Sequence, residues 1–348
     1  MKTTPGERIS SPTLKELHQL KPAYNWIILL FFGLWGLSGF FTLQMPNLWL
    51  RLPGYLLSGI VLHALGIMMH EGVHSNLSKN RSVNRWLGFI CGVPTLLGLS
   101  AYKAVHLPHH RWERMVEDPD EFENLTGKPP VLKVILVLWF FIGAYFYLFH
   151  IAFTGMKLAS AKEKKKIPQE YALLITLMAP AFYFIPFEIL GQVWLFPILV
   201  TAQLAQVRGL AEHAFTAGDS LLTATRTVTS NRVTSFFMCN LNYHLEHHIY
   251  PGVPWYNLPR LHRLFLEDYG KVGVSVYTSY AVYLWQVFKA LFAKVSNPYA
   301  QTGPPSGYYR HYMPVLAGIE NPAYGKVDAE QILKDAFQPT TQNKRGLK

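Results

Sequence analysis

The sequence predicts an all-α integral membrane protein: a helical bundle of about four transmembrane helices with a histidine-rich cap on its cytoplasmic side. Three observations carry that prediction. Half of the 348 residues are hydrophobic and 15% are charged, against about 25% charged in soluble domains. Apolar runs of membrane-spanning length recur along the chain. The remaining polar residues are concentrated: eight of the 14 histidines fall within fifteen positions, where an even distribution would place fewer than one.

Residues 1–23 are polar and carry Lys2, Arg8, Lys15 and Lys21, which suits a cytoplasmic N-terminal segment and not a cleaved secretory signal. One membrane domain is expected over 24–295. Residues 24–44 contain no charge and form the first span; 53–69 form the second, continuing helically through His74. Residues 171–207 exceed one span and are interrupted by Pro180, Pro186, Glu188 and Pro197, predicting two helices that turn near Pro186–Gly191.

Segments 86–101 and 131–153 are also apolar, and charge placement decides what they do. Lys and Arg concentrate in 1–23, in 75–85 (Lys79, Arg81, Arg85) and in 157–166 (Lys157, Lys162, Lys164, Lys165, Lys166), whereas the opposite loops offer only Arg51 and Glu188. Basic loops face the cytoplasm, so an even number of crossings lies between 85 and 157. For the polar stretch 103–130 to share a face with His74 and with residues after 207, segments 86–101 and 131–153 must be re-entrant or interfacial. Residues 276–295 are expected to form an interfacial or packed helix, and 296–348, rich in Pro, Gly and Tyr, an irregular tail. The net charge of +11 is cytoplasmic loop bias, so no nucleic-acid partner is expected. The expected membrane is a bacterial inner membrane rather than the endoplasmic reticulum, with the active site on the cytoplasmic side.

Three histidine clusters carry the chemistry: His70-Glu71-Gly72-Val73-His74, His106-Leu107-Pro108-His109-His110 and His244-Leu245-Glu246-His247-His248. On a helix, residues three and four apart share a face, so each cluster aims its imidazoles one way. Eight imidazoles exceed the four ligands of one zinc ion and suit two metal ions. His213, just after the last span, is a ninth candidate. Nine nitrogens over two ions leave positions for oxygen ligands. Imidazole alone also suits zinc, copper or nickel; oxygen chemistry favours iron.

These motifs resemble the membrane fatty-acid desaturase and hydroxylase superfamily of histidine-box enzymes. The resemblance runs from about residue 50 to 270. It rests on the three ordered boxes, on the apolar hairpin between the last two, and on Asn242-Tyr243-His244 with Pro251, Pro254-Trp255-Tyr256-Asn257 and Leu258-Pro259 after it. It implies a non-haem di-iron centre fed by O2 as co-substrate. The implied ligands are His70, His74, His106, His109, His110, His244, His247 and His248, with His213 matching the extra histidine before the third box. Glu71 stands where many relatives have Asp, which bears on subgroup and substrate. Glu71, Glu212 and Glu246 are expected to orient ligand imidazoles through their other ring nitrogen; Asp118, Asp120 and Glu121 either do the same or form a solvated loop. Asn240 is a water-orienting or a capping residue.

The function expected is O2-dependent insertion of a double bond into a long-chain fatty acyl lipid. Hydroxylation, ketolation and decarboxylation on the same scaffold are the alternatives, and a metal-binding membrane transporter is the rival from another class. No catalytic residue is expected beyond the metal centre. Two cysteines, Cys91 and Cys239, are too few for a four-thiolate electron-transfer centre, so electrons are expected from a separate ferredoxin or small cytochrome.

Overall fold

The structure, a computed structural model, describes residues 11–115, 117–121, 129–214, 216, 221–272, 274 and 276–292. The expected C-terminal tail, 296–348, lies outside the described residues, as does the end of the helix expected over 276–295.

Helix α1 (Ser11–Leu17) leads through a tight turn at Pro22–Asn25 into α2 (Trp26–Gln44), whose 19 residues extend about 28 Å. The Asn47 side chain accepts the Leu50 amide and so starts α3 (Leu48–Val73), which ends in the first histidine pair. Asn80 accepts the Ser82 and Val83 amides and starts α4 (Arg81–Gly92). A bend of 98° separates α4 with its terminal turn from α5 (Leu99–Trp112), which ends in the second cluster. The pair forms a V, the shape of a broken span or of a re-entrant segment. A Cβ on Gly72 would lie 2.8 Å from Gly88 Cα, so bare backbone lets α4 press against the histidine-bearing end of α3.

Helix α6 (Pro129–Leu158) follows, and Ser160 accepts the Glu163 amide to open α7 (Ala161–Phe184) with a capping-box sequence. The chain turns at Pro186 into α8 (Phe187–Leu190), one wide turn at Gly191–Leu195, and α9 (Phe196–Glu212). Short elements then build the third-box region: α10 (Leu221–Ala224), β1 (Thr227–Val228), α11 (Arg232–Phe237) and α12 (His244–Ile249). Beyond them lie α13 (Leu258–Val272), β2 (Val276–Tyr277) and α14 (Tyr280–Phe292). Strands β1 and β2 pair in parallel, Thr227 with Val276 and Val228 with Tyr277, and so carry the start of α14 back to the end of α9.

Among the described residues four stretches of helix are long and apolar enough to cross a membrane: 12–44, 48–73, 134–158 and 187–212. Their outward faces carry large apolar side chains such as Trp49, Phe153, Phe187 and Leu29, as a lipid environment demands. The third of them falls where a re-entrant or interfacial segment over 131–153 was expected; α6 is an unbroken helix of 30 residues, long and apolar enough to span. Contacts nevertheless keep both ends of α6 at the histidine end of the bundle. Leu136 packs with Leu210 and Ala211, and Gly155 lies so close to Ala101 that a Cβ would meet its carbonyl oxygen at 2.6 Å. The lysine-rich start of α7 keeps that helix out of the apolar set, yet α7 runs away from the histidines. Ile167 packs with Val105, Glu170 accepts both the Ser100 amide and hydroxyl, and Phe182 meets Trp194 edge-on.

Candidate metal centre

All nine histidines converge. The last turn of α3 presents His70 and His74, the last turn of α5 presents His106, His109 and His110, and the end of α9 presents His213. Helix α12 supplies His244, His247 and His248. The chain enters α12 through two residues with left-handed backbone, Cys239 (φ 45°) and Asn240 (φ 53°), a conformation asparagine tolerates better than most. The Asn240 amide donates to Ser235 O, so this asparagine serves to turn the chain toward the site.

The imidazoles sort into two groups. The first comprises His70, His74, His106, His110 and His247, whose ligand atoms all lie within 4.8 Å of one another. His106 Nε2 lies 3.0 Å from His74 Nε2 and 2.9 Å from His110 Nε2, which in turn is 3.2 Å from His247 Nε2. The second joins two clusters that share His213, one of His109, Glu113, His213 and His248 and one of Glu212, His213 and His244; His244 Nε2 stands 2.8 Å from His213 Nε2 and 3.0 Å from His248 Nε2. The groups abut, with His110 and His248 stacked at 4.0 Å between ring centroids.

Hydrogen bonds among the imidazoles cannot hold this arrangement. In the second group the Nδ1–H of His109 donates to Asp118 (3.0 Å) and that of His213 to Glu113 (3.0 Å). His248 Nδ1 lies 2.8 Å from the other Glu113 oxygen and His244 Nδ1 3.3 Å from Glu212. Carboxylates at Nδ1 place the proton there and leave bare Nε2 lone pairs facing each other. Burial holds His213 at a pKa of about 3 and pushes His244 and His247 well below the imidazole range, so protonation does not relieve the repulsion. In the first group no proton assignment satisfies every short Nε2–Nε2 contact, and His70 keeps both ring nitrogens buried without a partner. A cation at each focus satisfies them. Metal–nitrogen bonds of about 2.1 Å place neighbouring ligand nitrogens about 3 Å apart, the spacing found here.

The carboxylates divide between metal and frame. Glu212 is gripped by Arg208 (2.7 Å) and Tyr280 (3.1 Å) while facing His244. Glu71 lies 3.9 Å from His70 Nδ1 and accepts the Trp255 amide at 3.0 Å, joining the first box to the loop after the third. Glu246 lies away from the nine rings: it accepts from Thr227, His262 and Tyr269 (2.8 Å) and ties the third box to its surroundings. Glu113, which no motif singled out, serves two imidazoles; its place at the C-cap of α5, four residues after His109, was the available signal. Asp118 takes the orienting role, and Asp120 instead accepts the Tyr147 hydroxyl at 2.8 Å. Among the other histidines, His63 is buried in α3 outside both groups, His262 serves Glu246, and His18 donates to Leu14 O.

A cavity of about 200 Å³ opens beside both groups, between α5, α6 and α9, and touches His106, His109, His213 and His244. Its opposite wall is formed by Tyr102, Tyr147, Gln206 and Arg208.

The family model for fatty acid desaturases matches residues 46–280, which hold all nine histidines. A sphingolipid delta(4)-desaturase of Drosophila melanogaster is 27% identical over 270 residues, covering 74% of this chain and 79% of the relative. A human sphingolipid delta(4)-desaturase/C4-monooxygenase is 24% identical over 302 residues, covering 83% and 87%. The human sphingolipid delta(4)-desaturase is 25% identical over 273 residues, covering 74% and 79%.

Proposed function

The chain belongs to the fatty acid desaturase family and is a membrane oxidoreductase of the desaturase/oxygenase class; from that premise we propose that it is an O2-dependent di-iron enzyme that inserts a double bond into a long-chain acyl lipid. The observation that carries this reading is the pair of converging Nε2 groups sharing one cavity. His70, His74, His106, His110 and His247 would hold one ion, and His109, His213, His244 and His248 the other. Two iron ions held there would supply the reduction of O2 and the oxidising power to take hydrogen from a methylene. In the balanced reaction two adjacent methylenes lose two hydrogens, O2 accepts four electrons, and two water molecules form. Two electrons come from the carbon chain and two, with two protons, from a donor. A separate ferredoxin or small cytochrome is the donor we assign.

The chain's own residues position and exclude. Asp118, Glu113 and Glu212 hold ring nitrogens so that the imidazoles keep their lone pairs on the metal side. Helices α5, α6 and α9 wall the cavity, in which one short stretch of substrate would stand beside the histidines. The basic segments 75–85 and 157–166 favour a cytoplasmic site, within reach of a soluble donor.

The test is expression in a host lacking the activity, followed by mass spectrometry of total lipids under labelled O2. A new unsaturated species that disappears with His244→Ala supports the proposal. A product that keeps a labelled oxygen atom would move the reading to hydroxylation, a branch present in the human relative's name. The lipid panel should include sphingolipids as well as fatty acyl esters, because the relatives are so named.

A further inference from the structure

His213 and His244 of the second group come from α9 and α12, and one short buried segment touches both helices. Thr225, Arg226 and Thr227 are each at most 4% exposed, and Thr227 opens β1. The metal ligands and the groups that orient them make no use of Arg226. A buried guanidinium is costly unless its charge is compensated, and among the described residues no carboxylate pairs with this one. Its partners are backbone carbonyls and two tyrosine rings.

Those partners close the end of α9. A helix leaves its last carbonyls without partners of its own, and here the segment supplies them. Arg226 Nη1 donates to Ala211 O at 2.9 Å and to Ala214 O at 2.8 Å. The Arg226 amide and the Thr225 hydroxyl both donate to Glu212 O, at 3.0 Å and 2.8 Å. The guanidinium carbon lies 4.8 Å from the centre of the Tyr283 ring and 5.9 Å from that of Tyr277, a setting that favours a cation. Positive charge also suits the negative end of the helix dipole. The carbonyls so held bracket Glu212 and His213. Thr227 carries the grip to the other helix: its hydroxyl donates to Glu246 and accepts the Leu245 amide at 3.3 Å, which fixes the turn of α12 that starts at His244. Three consecutive residues thus hold the backbone on both sides of the 2.8 Å approach between His213 Nε2 and His244 Nε2.

We propose that Arg226 is a positioning residue for the second metal position: by clamping the end of α9 it sets where Glu212 and His213 stand relative to His244. The effect is confined to that position because α9 contributes no ring to the first group. Without the guanidinium the last turn of α9 loses the donor to Ala211 O and Ala214 O, and His213 is free to drift from the spacing that a shared ion requires. This inference rests on the reading that each histidine group holds one ion.

The test titrates Co(II), whose visible absorption reports an imidazole-rich site, into the metal-free full-length protein in detergent. Two backgrounds isolate the positions: His106→Ala disables the first group and His244→Ala the second. Arg226→Met keeps an unbranched stem and removes the donors. It is expected to weaken Co(II) binding about 10–100-fold in the His106→Ala background and to leave it unchanged in the His244→Ala background. Arg226→Lys restores the charge and part of the donor set, so its affinity should fall between those of Met and Arg. Should Arg226→Met fold poorly, Thr225→Val removes one hydrogen bond to Glu212 O at nearly constant shape, with an expected loss of about fivefold in the same background alone. Equal weakening in both backgrounds, as a purely structural role would give, overturns the proposal. Unchanged binding in both backgrounds also overturns it, while leaving the two-ion reading intact. If neither background binds Co(II) before Arg226 is changed, the two-ion reading fails and the proposal falls with it.

Discussion

The two histidine groups are built from the same side chain and differ in what stands behind it. In the first, the one ion-pair contact among the described residues is a long one: Glu71 is 3.9 Å from His70 Nδ1 and engaged with the Trp255 amide. In the second, Asp118, Glu113 and Glu212 stand behind all four rings. A carboxylate behind an imidazole raises its basicity and fixes its orientation. A metal ion in the first group would thus be held by neutral nitrogens alone, and one in the second by nitrogens with negative charge at their backs. The two positions should differ in affinity and in the oxidation state they favour.

The largest expected effect comes from removing the hub of the first group. His106 Nε2 is within 3.0 Å of two other ligand nitrogens, so His106→Ala should reduce turnover by more than the 10–100-fold typical of outer-shell changes. Bound iron should fall toward one ion per chain, measured by elemental analysis of the purified protein. The next effect separates the groups. Glu113→Gln withdraws charge from His213 and His248 together, and the affinity of the second position should drop about 10–100-fold while the first stays filled. Equal loss from both positions in a metal titration would show that the groups do not act separately.

Glu71→Gln is the matching change on the other side. Because Glu71 spends its hydrogen bonds on Trp255 and Asn76, the loss should appear as about 1–3 kcal/mol of stability with little change in metal content. Thermal unfolding and elemental analysis on the same sample read both quantities. A metal defect as large as that of Glu113→Gln would erase the contrast between the groups.

Which of these features were legible in the sequence follows from how local each one is. The three boxes and His213 stood out because spacings of three and four on a helix are a local signature. The partition into two groups did not: His109 and His110 are neighbours in the chain, yet point about 100° apart around α5 and join different groups. That choice depends on where α3, α9 and α12 arrive. Glu113 was missed because it falls beyond the box, where α5 has already ended. Glu246 was expected beside a ligand because it lies between two, but on a six-residue helix the position between two clustered histidines faces the opposite way, toward His262 and Tyr269. The apolar segment 131–153 was legible, whereas the full extent of α6, Pro129–Leu158, was not, because its ends lie in the polar flanking sequence.

The smallest expected effect tests the space beside the second group. Gly72 in α3 and Gly209 in α9 lie near His74 and His213, and a methyl group has opposite consequences at the two. At Gly72 a Cβ would sit 2.8 Å from Gly88 Cα, so Gly72→Ala should push α4 away and destabilise by about 1–3 kcal/mol. At Gly209 a Cβ would meet nothing within 4 Å, and the residue lines the cavity. Glycine inside a helix costs up to about 1 kcal/mol relative to alanine, so on helix propensity alone Gly209→Ala should raise the melting temperature slightly. If the open space holds substrate, the same methyl lowers turnover by a fewfold, and Gly209→Leu, which fills more of it, lowers turnover further at unchanged metal content. A stabilised Gly209→Leu variant with wild-type turnover would mean that substrate approaches the histidines by another route.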